Sequence, residues 1–274
     1  MTTLTLIKAH AYGNDFLLAD ADAVATSVDR VGLARRACDR HRGLGADGLI
    51  FYHLPDIARA GEPEPRPVRM ALLNADGSYS EVSGNGVRCL AAWIAERSAL
   101  EPGAVVRIQT DAGCKQLTLL QRSPDEMTFR AAMGQAEAIA TTRLSVDGEE
   151  IEVVTLRVGN PQCVVLGPLT AERLHRVASR LAVHPHFPNG TNVELATVEG
   201  PDRVRILIWE RGVGPTEASG TGACAAAVAA MRYGGADRDV NVISPGGAQR
   251  VEWCDDGLYL TGTAEIIGTC QWKL

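Results

Sequence analysis

Two short segments of the chain have nearly the same sequence, and each is typical of an anion-binding helix start. The segments Ser83–Ala92 and Ser219–Ala227 each contain a serine, a Gly-x-Gly turn and a run of small residues. The first N–H groups of such a helix, together with its dipole, favour an anion such as a carboxylate. The two serines would then be N-cap residues, which usually contribute about 1 kcal/mol each to stability.

The spacing of the two segments indicates an internal repeat. They lie about half of the 274-residue chain apart, which predicts two similar domains. If both helix starts face one small molecule, one group can take a proton from one side of a carbon atom while the other delivers a proton to the opposite side. Proton transfer of this kind inverts a stereocentre.

Several other polar residues lie at turns and are candidates for binding a ligand. Glu210 and Arg211 follow a predicted strand and lead into the second helix start. The planar guanidinium of Arg211 suits bidentate recognition of a carboxylate, and Glu210 could orient or deprotonate a neighbouring group. Asparagine in a turn is usually structural, because it tolerates the left-handed backbone and bonds its own chain. Four asparagines are of this kind: Asn14, Asn74, Asn160 and Asn192.

The elements that would position these residues are mostly strands. Strand patterns greatly outnumber helical ones, and each half of the chain has one dominant helix of small residues that a curved sheet can enclose. The sequence therefore predicts an α/β (α+β) fold, with Ser27 as the N-cap of the first helix and an exposed loop at Ala58–Arg66. The predicted helices are Val28–Cys38, Gly84–Arg97, Leu169–Leu181 and Gly220–Tyr233.

The composition is that of a globular protein. It is 46% hydrophobic and 22% charged, and its net charge of −6 argues weakly against nucleic-acid binding. Seven cysteines without a C-x-x-C motif favour neither a disulfide framework nor a zinc site, and indicate a reducing compartment. No signal-peptide pattern or membrane-spanning apolar run is present. We therefore expect a cytoplasmic protein with no membrane partner.

Read together and in order, seven motifs make the chain resemble the diaminopimelate epimerase family nearly from end to end. These enzymes interconvert LL- and meso-diaminopimelate, a precursor of lysine and peptidoglycan, without a cofactor. One such short motif would be weak evidence, but seven in the expected order are highly specific. The motifs are Gly13–Phe16, Arg42–Gly48, Asn74–Ser78, Gly84–Arg88, Gly159–Pro161, Phe187–Glu194 and Glu210–Gly222.

The resemblance implies a fold as well as a reaction. It implies two pseudo-symmetric domains, each a curved mixed sheet wrapped around a central helix, with the active site in the cleft between them. Residues 1–130 plus 264–274 would form the first domain and residues 131–263 the second. The family usually forms homodimers, acts on a small-molecule amino acid, and needs neither a metal nor pyridoxal phosphate.

The resemblance also assigns roles to individual residues. The positions expected to hold the two ends of the substrate are Asn14, Asn74, Asn160, Asn192, Glu210 and Arg211. The positions expected to receive the reacting carboxylate at the helix starts are Gly84, Asn85, Gly220 and Thr221.

The chain departs from the family at its acid/base positions. The family has a cysteine immediately before each Gly-x-Gly, where this chain has Ser83 and Ser219. Cys89 and Cys224 lie further on, inside the predicted helices, and cannot simply substitute. The family also has a histidine after its Gly-Asn-Pro, where this chain has Gln162. A serine hydroxyl is far less acidic than a thiol, so it needs an adjacent base to act.

Three interpretations are therefore open. The first is a serine variant that still epimerises diaminopimelate, with Ser83 and Ser219 as the two acid/base groups and Glu210 assisting the second. The second is a relative with changed chemistry, either another amino-acid racemase or a dehydratase. The third is a homologue that binds an amino acid without turnover. The retained substrate-holding residues favour diaminopimelate as the ligand.

Overall fold

The structure, a computed structural model, describes residues 3–55, 67–124 and 126–274. The chain forms two compact units. Unit 1 contains residues 1–131 and 263–274, and unit 2 contains residues 132–262. The loop predicted at Ala58–Arg66 lies outside the described residues. Within the described ranges, no helix combines the length and the apolar composition that crossing a membrane requires.

Unit 1 begins with two antiparallel strands, and its described residues include two helices and one short 3-10 turn, Ala21–Ala23. Helix α1 is Arg30–Cys38 and helix α2 is Gly84–Arg97. Its strands are β1 (Thr3–Ala11), β2 (Asn14–Asp20), β3 (Gly48–His53), β4 (Val68–Asn74), β5 (Tyr79–Ser80), β6 (Val105–Thr110), β7 (Gly113–Arg122) and β8 (Met127–Gly134), the last of which continues into unit 2.

Unit 2 has one helical stretch between its third and fourth strands and another after its sixth. The helical segments are α3 (Ala171–Arg173), a π segment (Leu174–Ala178), α4 (Ser179–Ala182), α5 (Gly220–Ala229) and a second π segment (Ala230–Gly234). The strands are β9 (Glu137–Val146), β10 (Glu149–Val158), β11 (Asn160–Leu166), β12 (Asn192–Gly200), β13 (Arg203–Glu210), β14 (Gly214–Thr216), β15 (Asp239–Ser244), β16 (Gly247–Cys254) and β17 (Gly257–Lys273). The last strand returns the chain to unit 1.

The two units repeat one pattern of strand pairing. In unit 1, β1 pairs antiparallel with β2, β2 parallel with β3, β3 antiparallel with β4, β4 parallel with β6, and β6 antiparallel with β7. In unit 2 the same series runs through β10, β11, β12, β13, β15 and β16. Each parallel step spans a helical connection, as parallel pairing requires. The repeat in the sequence is therefore also a repeat in topology.

Each unit encloses its helix of small residues. Ten of the fourteen residues of α2 and nine of the ten residues of α5 are buried. Alanine and glycine allow the surrounding strands to approach the α5 backbone closely, and α5 packs with β10, β11, β12 and β13 in one apolar cluster. The predicted α+β class, with a mixed sheet around a central helix in each unit, is confirmed.

The first helix begins later than the sequence predicts. It starts at Arg30 with Asp29 at the N-cap position, so the prediction that Ser27 caps the helix is wrong. The Asp29 side chain makes no capping hydrogen bond, and the Val28 N–H donates to the carbonyl of Ala25. This turn keeps Ser27 and Val28 out of the helix.

Strand β1 also pairs with the far end of the chain. It runs antiparallel to β17, with Thr3 opposite Lys273 and Leu6 opposite Cys270. Strand β17 pairs with β8 as well. Together with the pairings among the earlier strands, these contacts return the sheet of unit 1 to its first strand.

Candidate active site

The start of α2 in unit 1 has the predicted capping geometry. Ser83 has an extended backbone (φ −128°, ψ 122°), and its Oγ accepts a hydrogen bond from the Gly86 N–H over 3.1 Å. The hydroxyl therefore satisfies one of the N–H groups that have no acceptor within the helix. Ser83 and Gly84 are half-buried, so the hydroxyl lies at the edge of the core.

The start of α5 in unit 2 repeats this geometry. Ser219 is also extended (φ −140°, ψ 130°), and its Oγ accepts from the Gly222 N–H over 3.2 Å. Ser219 is 5% exposed, Gly220 is buried and Thr221 is half-buried. The two serines predicted as acid/base groups thus occupy equivalent places in the two repeats.

The nearby cysteines cannot take over the role of the serines. Cys89 and Cys224 are both fully buried within their helices. Burial raises the pKa of the Cys89 thiol to about 12, so that thiol is neutral at ordinary pH. A buried neutral thiol is an inert packing group rather than a base.

Three polar side chains of unit 1 form a chain of hydrogen bonds beside the first helix start. Asn85 is 2% exposed, and its Oδ1 accepts from the Arg88 guanidinium, which is itself 1% exposed. The Asn85 Nδ2 donates to the Oδ1 of Asn14 over 3.1 Å. Because Asn85 uses both ends of its amide inside the protein, it fixes the orientation of Asn14. The two predicted substrate-binding residues Asn14 and Asn85 are therefore in contact, and Asn85 is the more deeply buried of the two.

Asn14 is also connected to a network of charged side chains. The Asn14 Nδ2 donates to the Oδ2 of Asp47 over 2.6 Å, and Arg40 bridges Asp47 and Asp15 with contacts of 2.8 and 2.7 Å. Lys8 also pairs with Asp15. Burial alone would raise the pKa of Asp15, but the hydrogen bonds and charges of Arg40 and Lys8 outweigh it and keep that pKa below its ordinary value. Asp15 is therefore an anion that anchors the network.

The Asn74 turn attaches to the same network. The Asn74 Nδ2 donates to the Ser78 hydroxyl over 3.0 Å, and Gly77, at φ +81°, closes the turn by donating to the Asn74 carbonyl. The next N–H, that of Ala75, donates to the backbone carbonyl of Asp47 over 2.9 Å. Asp47 thus links the Asn14 side chain to the Asn74 turn.

In unit 2, Asn192 holds the segment that carries the predicted carboxylate-binding arginine. The Asn192 Oδ1 accepts from the Arg211 N–H over 2.9 Å, and the Arg211 side chain donates to the carbonyl of Asn189 over 3.1 Å. Arg211 is exposed and the adjacent Glu210 is half-buried. Arg211 can therefore still turn part of its guanidinium towards a ligand.

Gln162 holds the predicted binding residue Asn160. The Gln162 Nε2 donates to the Oδ1 of Asn160 over 2.6 Å. Gln162 is 1% exposed, and its own Oε1 has no hydrogen-bond partner among the described residues. An amide does not accept a proton usefully near neutral pH, so Gln162 orients Asn160 and supplies no base.

Unit 2 also contains a carboxyl group to which the sequence analysis assigns no role. Glu194 lies on β12, is 0% exposed, and has no hydrogen-bond partner for either carboxyl oxygen among the described residues. Burial, followed by the negative charge of Glu210, raises the pKa of Glu194 well above its ordinary value. Burial therefore favours the neutral, protonated form of the Glu194 carboxyl group.

The predicted site residues thus fall into two sets. Unit 1 holds Asn14, Asn74, Ser83, Gly84 and Asn85, joined through Asp47 and the Asn14–Asn85 contact. Unit 2 holds the remaining predicted residues around the start of α5 and the ends of β11, β12 and β13. They are Asn160, Asn192, Glu210, Arg211, Ser219, Gly220 and Thr221.

The fold defines a class of protein. Similar solved structures include an epimerase from Pseudomonas aeruginosa, described as predicted (TM-score 0.73, 17% identity, 99% of each chain covered), and a probable proline racemase from Agrobacterium radiobacter with bound carbonate (TM-score 0.72, 16% identity, 99% of this chain and 93% of the other). A hydroxyproline epimerase from Agrobacterium vitis is also similar, with a TM-score of 0.71 at 15% identity, and covers 99% of this chain and 91% of its own. At these identities the likeness establishes the fold alone.

The sequence comparisons give the family. The family model described as "Diaminopimelate epimerase" matches residues 6–139 and 154–267. The diaminopimelate epimerase of Desulfitobacterium hafniense is 36% identical and that of Desulforudis audaxviator is 37% identical. The first match covers 96% of both chains, and the second covers 97% of this chain and 98% of the relative. The chain belongs to the diaminopimelate epimerase family, and it is an isomerase.

Proposed function

We propose that the protein interconverts LL- and meso-diaminopimelate by two-base proton transfer at the α-carbon, without a cofactor. The observation that carries this proposal is the repeated helix start. In each unit a serine hydroxyl caps the third helical N–H, at a place where two further backbone N–H groups lack acceptors within the helix. Those N–H groups and the helix dipole suit the carboxylate next to the reacting carbon.

The polar residues around the two helix starts support an amino-acid substrate. Asn14 and Asn160 are each oriented by a buried amide, that of Asn85 and that of Gln162 respectively. Arg211 is exposed and carries the planar donor set that matches a carboxylate. Diaminopimelate has an amino and a carboxylate group at each end, and each unit supplies polar groups of the kind that such ends require.

Serine makes the chemistry harder than it would be with cysteine. A thiol has an ordinary pKa of about 8.5, which a helix N-terminus lowers, whereas a serine hydroxyl is far less acidic. The serine must therefore exchange protons with a neighbouring base while it acts on the substrate. In unit 2 the half-buried Glu210 and the buried Glu194 are the carboxyl groups available for this step.

The test is hydrogen exchange at the α-carbon. LL-diaminopimelate is incubated with high concentrations of protein in deuterated water, and deuterium uptake and meso product are measured by mass spectrometry and chiral chromatography. We expect uptake with the wild type and loss of epimerisation in Ser83→Ala and Ser219→Ala. No uptake at any protein concentration would refute the proposal, while binding by calorimetry without uptake would support a non-catalytic binding protein.

A double variant tests whether the rest of the site is competent. Replacing both Ser83 and Ser219 by cysteine should raise the exchange rate by at least about tenfold, because a single pKa unit is worth about 1.4 kcal/mol. Ser98→Cys is the matched control, since Ser98 lies at the opposite end of α2, where the helix dipole opposes a thiolate. The control should leave the rate unchanged. An equal gain in both variants would contradict the assignment of the serines.

A further inference from the structure

Glu194 is the most unusual polar side chain of unit 2. It is completely buried, and neither carboxyl oxygen has a hydrogen-bond partner among the described residues. An ionised carboxylate is strongly disfavoured in such surroundings, so burial favours the protonated form. Proteins rarely retain an unpaired buried acid without a use for it, because an apolar residue of similar size would be more stable there.

The position of Glu194 points to that use. On β12 it lies opposite Val164 on one side and Ile208 on the other, both of which belong to the apolar cluster around α5. The carboxyl group therefore faces α5 rather than solvent. It also shares this face of β12 with Asn192, two residues earlier, since alternate residues of a strand share a face.

The carboxyl group lies directly against the helix start that carries Ser219. A Cβ atom added to Gly222 would be 2.6 Å from the Oε1 of Glu194 and 3.1 Å from the Cβ of Ser219. The Glu194 carboxyl group and the Ser219 side chain therefore both lie close to Gly222. Because Gly222 has no side chain, the acid can reach the first turn of α5, the turn that Ser219 caps.

We propose that Glu194 is a positioning residue that holds the proton exchanged by Ser219 during epimerisation. This inference rests on the function proposed above and names the group that compensates for the weak acidity of the hydroxyl. It differs from the assistance predicted for Glu210, because Glu194 lies inside the core and reaches the substrate only through Ser219.

The proton transfers at Ser219 balance. When Ser219 delivers a proton, its O–H bond breaks, a C–H bond forms at the α-carbanion, and the Ser219 oxygen takes the proton of the Glu194 carboxylic acid, which becomes a carboxylate. In the reverse direction Glu194 begins as a carboxylate, the α-C–H bond breaks, and its proton forms a new O–H bond on Ser219. In the same step the original hydroxyl proton moves to the Glu194 carboxylate, and the electron pair of the C–H bond stays on the α-carbon.

The surroundings of Glu194 suit this exchange. Glu210 on β13 contributes a negative charge, the first turn of α5 contributes the dipole of its N–H groups, and Gln162 on β11 is neutral. Cys163, also on β11, is neutral as well, because burial raises the pKa of its thiol. A group whose pKa lies above the ordinary carboxyl range is a better proton carrier near neutral pH than an exposed glutamate.

The first test compares Glu194→Gln with Glu199→Gln. Glu199 lies on the same strand but forms a surface ion pair with Arg205, so it controls for loss of a carboxyl group on β12. We expect Glu194→Gln to lower kcat for α-deuterium exchange by at least about 100-fold. The KM for diaminopimelate and the Tm should stay unchanged, and the pH dependence of kcat that Glu194 causes should disappear. Glu194→Asp should recover part of the rate, and Glu199→Gln should match the wild type.

The second test needs no turnover. The infrared spectrum of the wild type at pH 7 should contain the carbonyl stretch of a protonated carboxylic acid that is absent from Glu194→Gln. A wild-type spectrum without that band would overturn the inference whatever the activity. Exchange by Glu194→Gln within about threefold of the wild type, or a loss of rate that keeps the wild-type pH profile, would also overturn it. No exchange by the wild type would refute the proposed function itself, and the relay with it.

Discussion

The contact between Gly222 and Glu194 makes a sharp prediction about stability. In Gly222→Ala the new methyl group would lie 2.6 Å from Glu194 Oε1, which is closer than any real contact, and 3.1 Å from the Cβ of Ser219. Glu194 is fully buried among core side chains, so it cannot turn away into solvent. Either the carboxyl group or the first turn of α5 must therefore move.

The size of the effect follows from three contributions. Overpacking a core usually costs about 1–3 kcal/mol, and displacing the first turn would also weaken the Ser219 cap, which is worth about 1 kcal/mol. Alanine favours helix over glycine by about 1 kcal/mol and offsets part of this cost. We expect Gly222→Ala to lower the free energy of unfolding by about 1–3 kcal/mol.

The equivalent glycine of the other repeat is the matched control. A Cβ on Gly86 would lie 3.0 Å from the terminal Cδ1 methyl of Ile50 and 3.3 Å from the Cβ of Ser83. A methyl group at the end of a flexible side chain can give way by a few tenths of an ångström. Gly86→Ala should therefore change the free energy of unfolding by less than about 1 kcal/mol.

Urea denaturation of the wild type, both single variants and a Glu194→Ala background measures these effects. Removing the Glu194 side chain opens space for the methyl group, so Gly222→Ala should cost much less in that background than in the wild type. A cost for Gly222→Ala equal to that of Gly86→Ala would refute the close contact. The same cost with and without the Glu194 side chain would refute it as well.

Two further predictions concern the network in unit 1. Because the pKa of folded Asp15 lies below that of the unfolded chain, its contribution is fully present above about pH 3.9 and is lost as the pH falls through the folded value. Asp15→Asn, which leaves Lys8 and Arg40 without that carboxylate, should lower the Tm at pH 7 and flatten its decline in acid. An unchanged acid limb in scans that extend from pH 7 down to about pH 2 would count against it. Asn85→Ala should cost about 1–3 kcal/mol in urea denaturation, because it leaves the buried Arg88 without one of its acceptors. Stability equal to the wild type would contradict this role.

The parts of the fold with local signals could be predicted from the sequence. Helix α2 runs from Gly84 to Arg97 as predicted, because its serine cap, its apolar spacing and its small residues all favour the same helix. Strand β9 was not predicted, because its residues alternate weakly and most of them are exposed. It exists through pairing with β10, which a local pattern does not reveal.

The candidate site likewise contains residues that the sequence marks with a local signal and one residue that it does not. The serines and asparagines stand at turns and helix starts that the sequence marks with glycine, so their places in the two units could be predicted. Glu194 could not, because Asn-Val-Glu-Leu reads as a strand with one polar face towards solvent. In the structure both faces of β12 are covered, and the polar face meets α5. The predicted homodimer stays a prediction.

The pairing of β1 with β17 bears on how the protein is made on the ribosome. Strand β1 emerges from the ribosome before the other described strands, yet its partners at residues 265–273 are synthesised only after the whole of unit 2. The strands of unit 2 can therefore pair with one another while β1 of unit 1 still lacks its partner strand β17. Translational pausing or a chaperone that shields an unpaired strand should therefore matter more for the unit that is begun first.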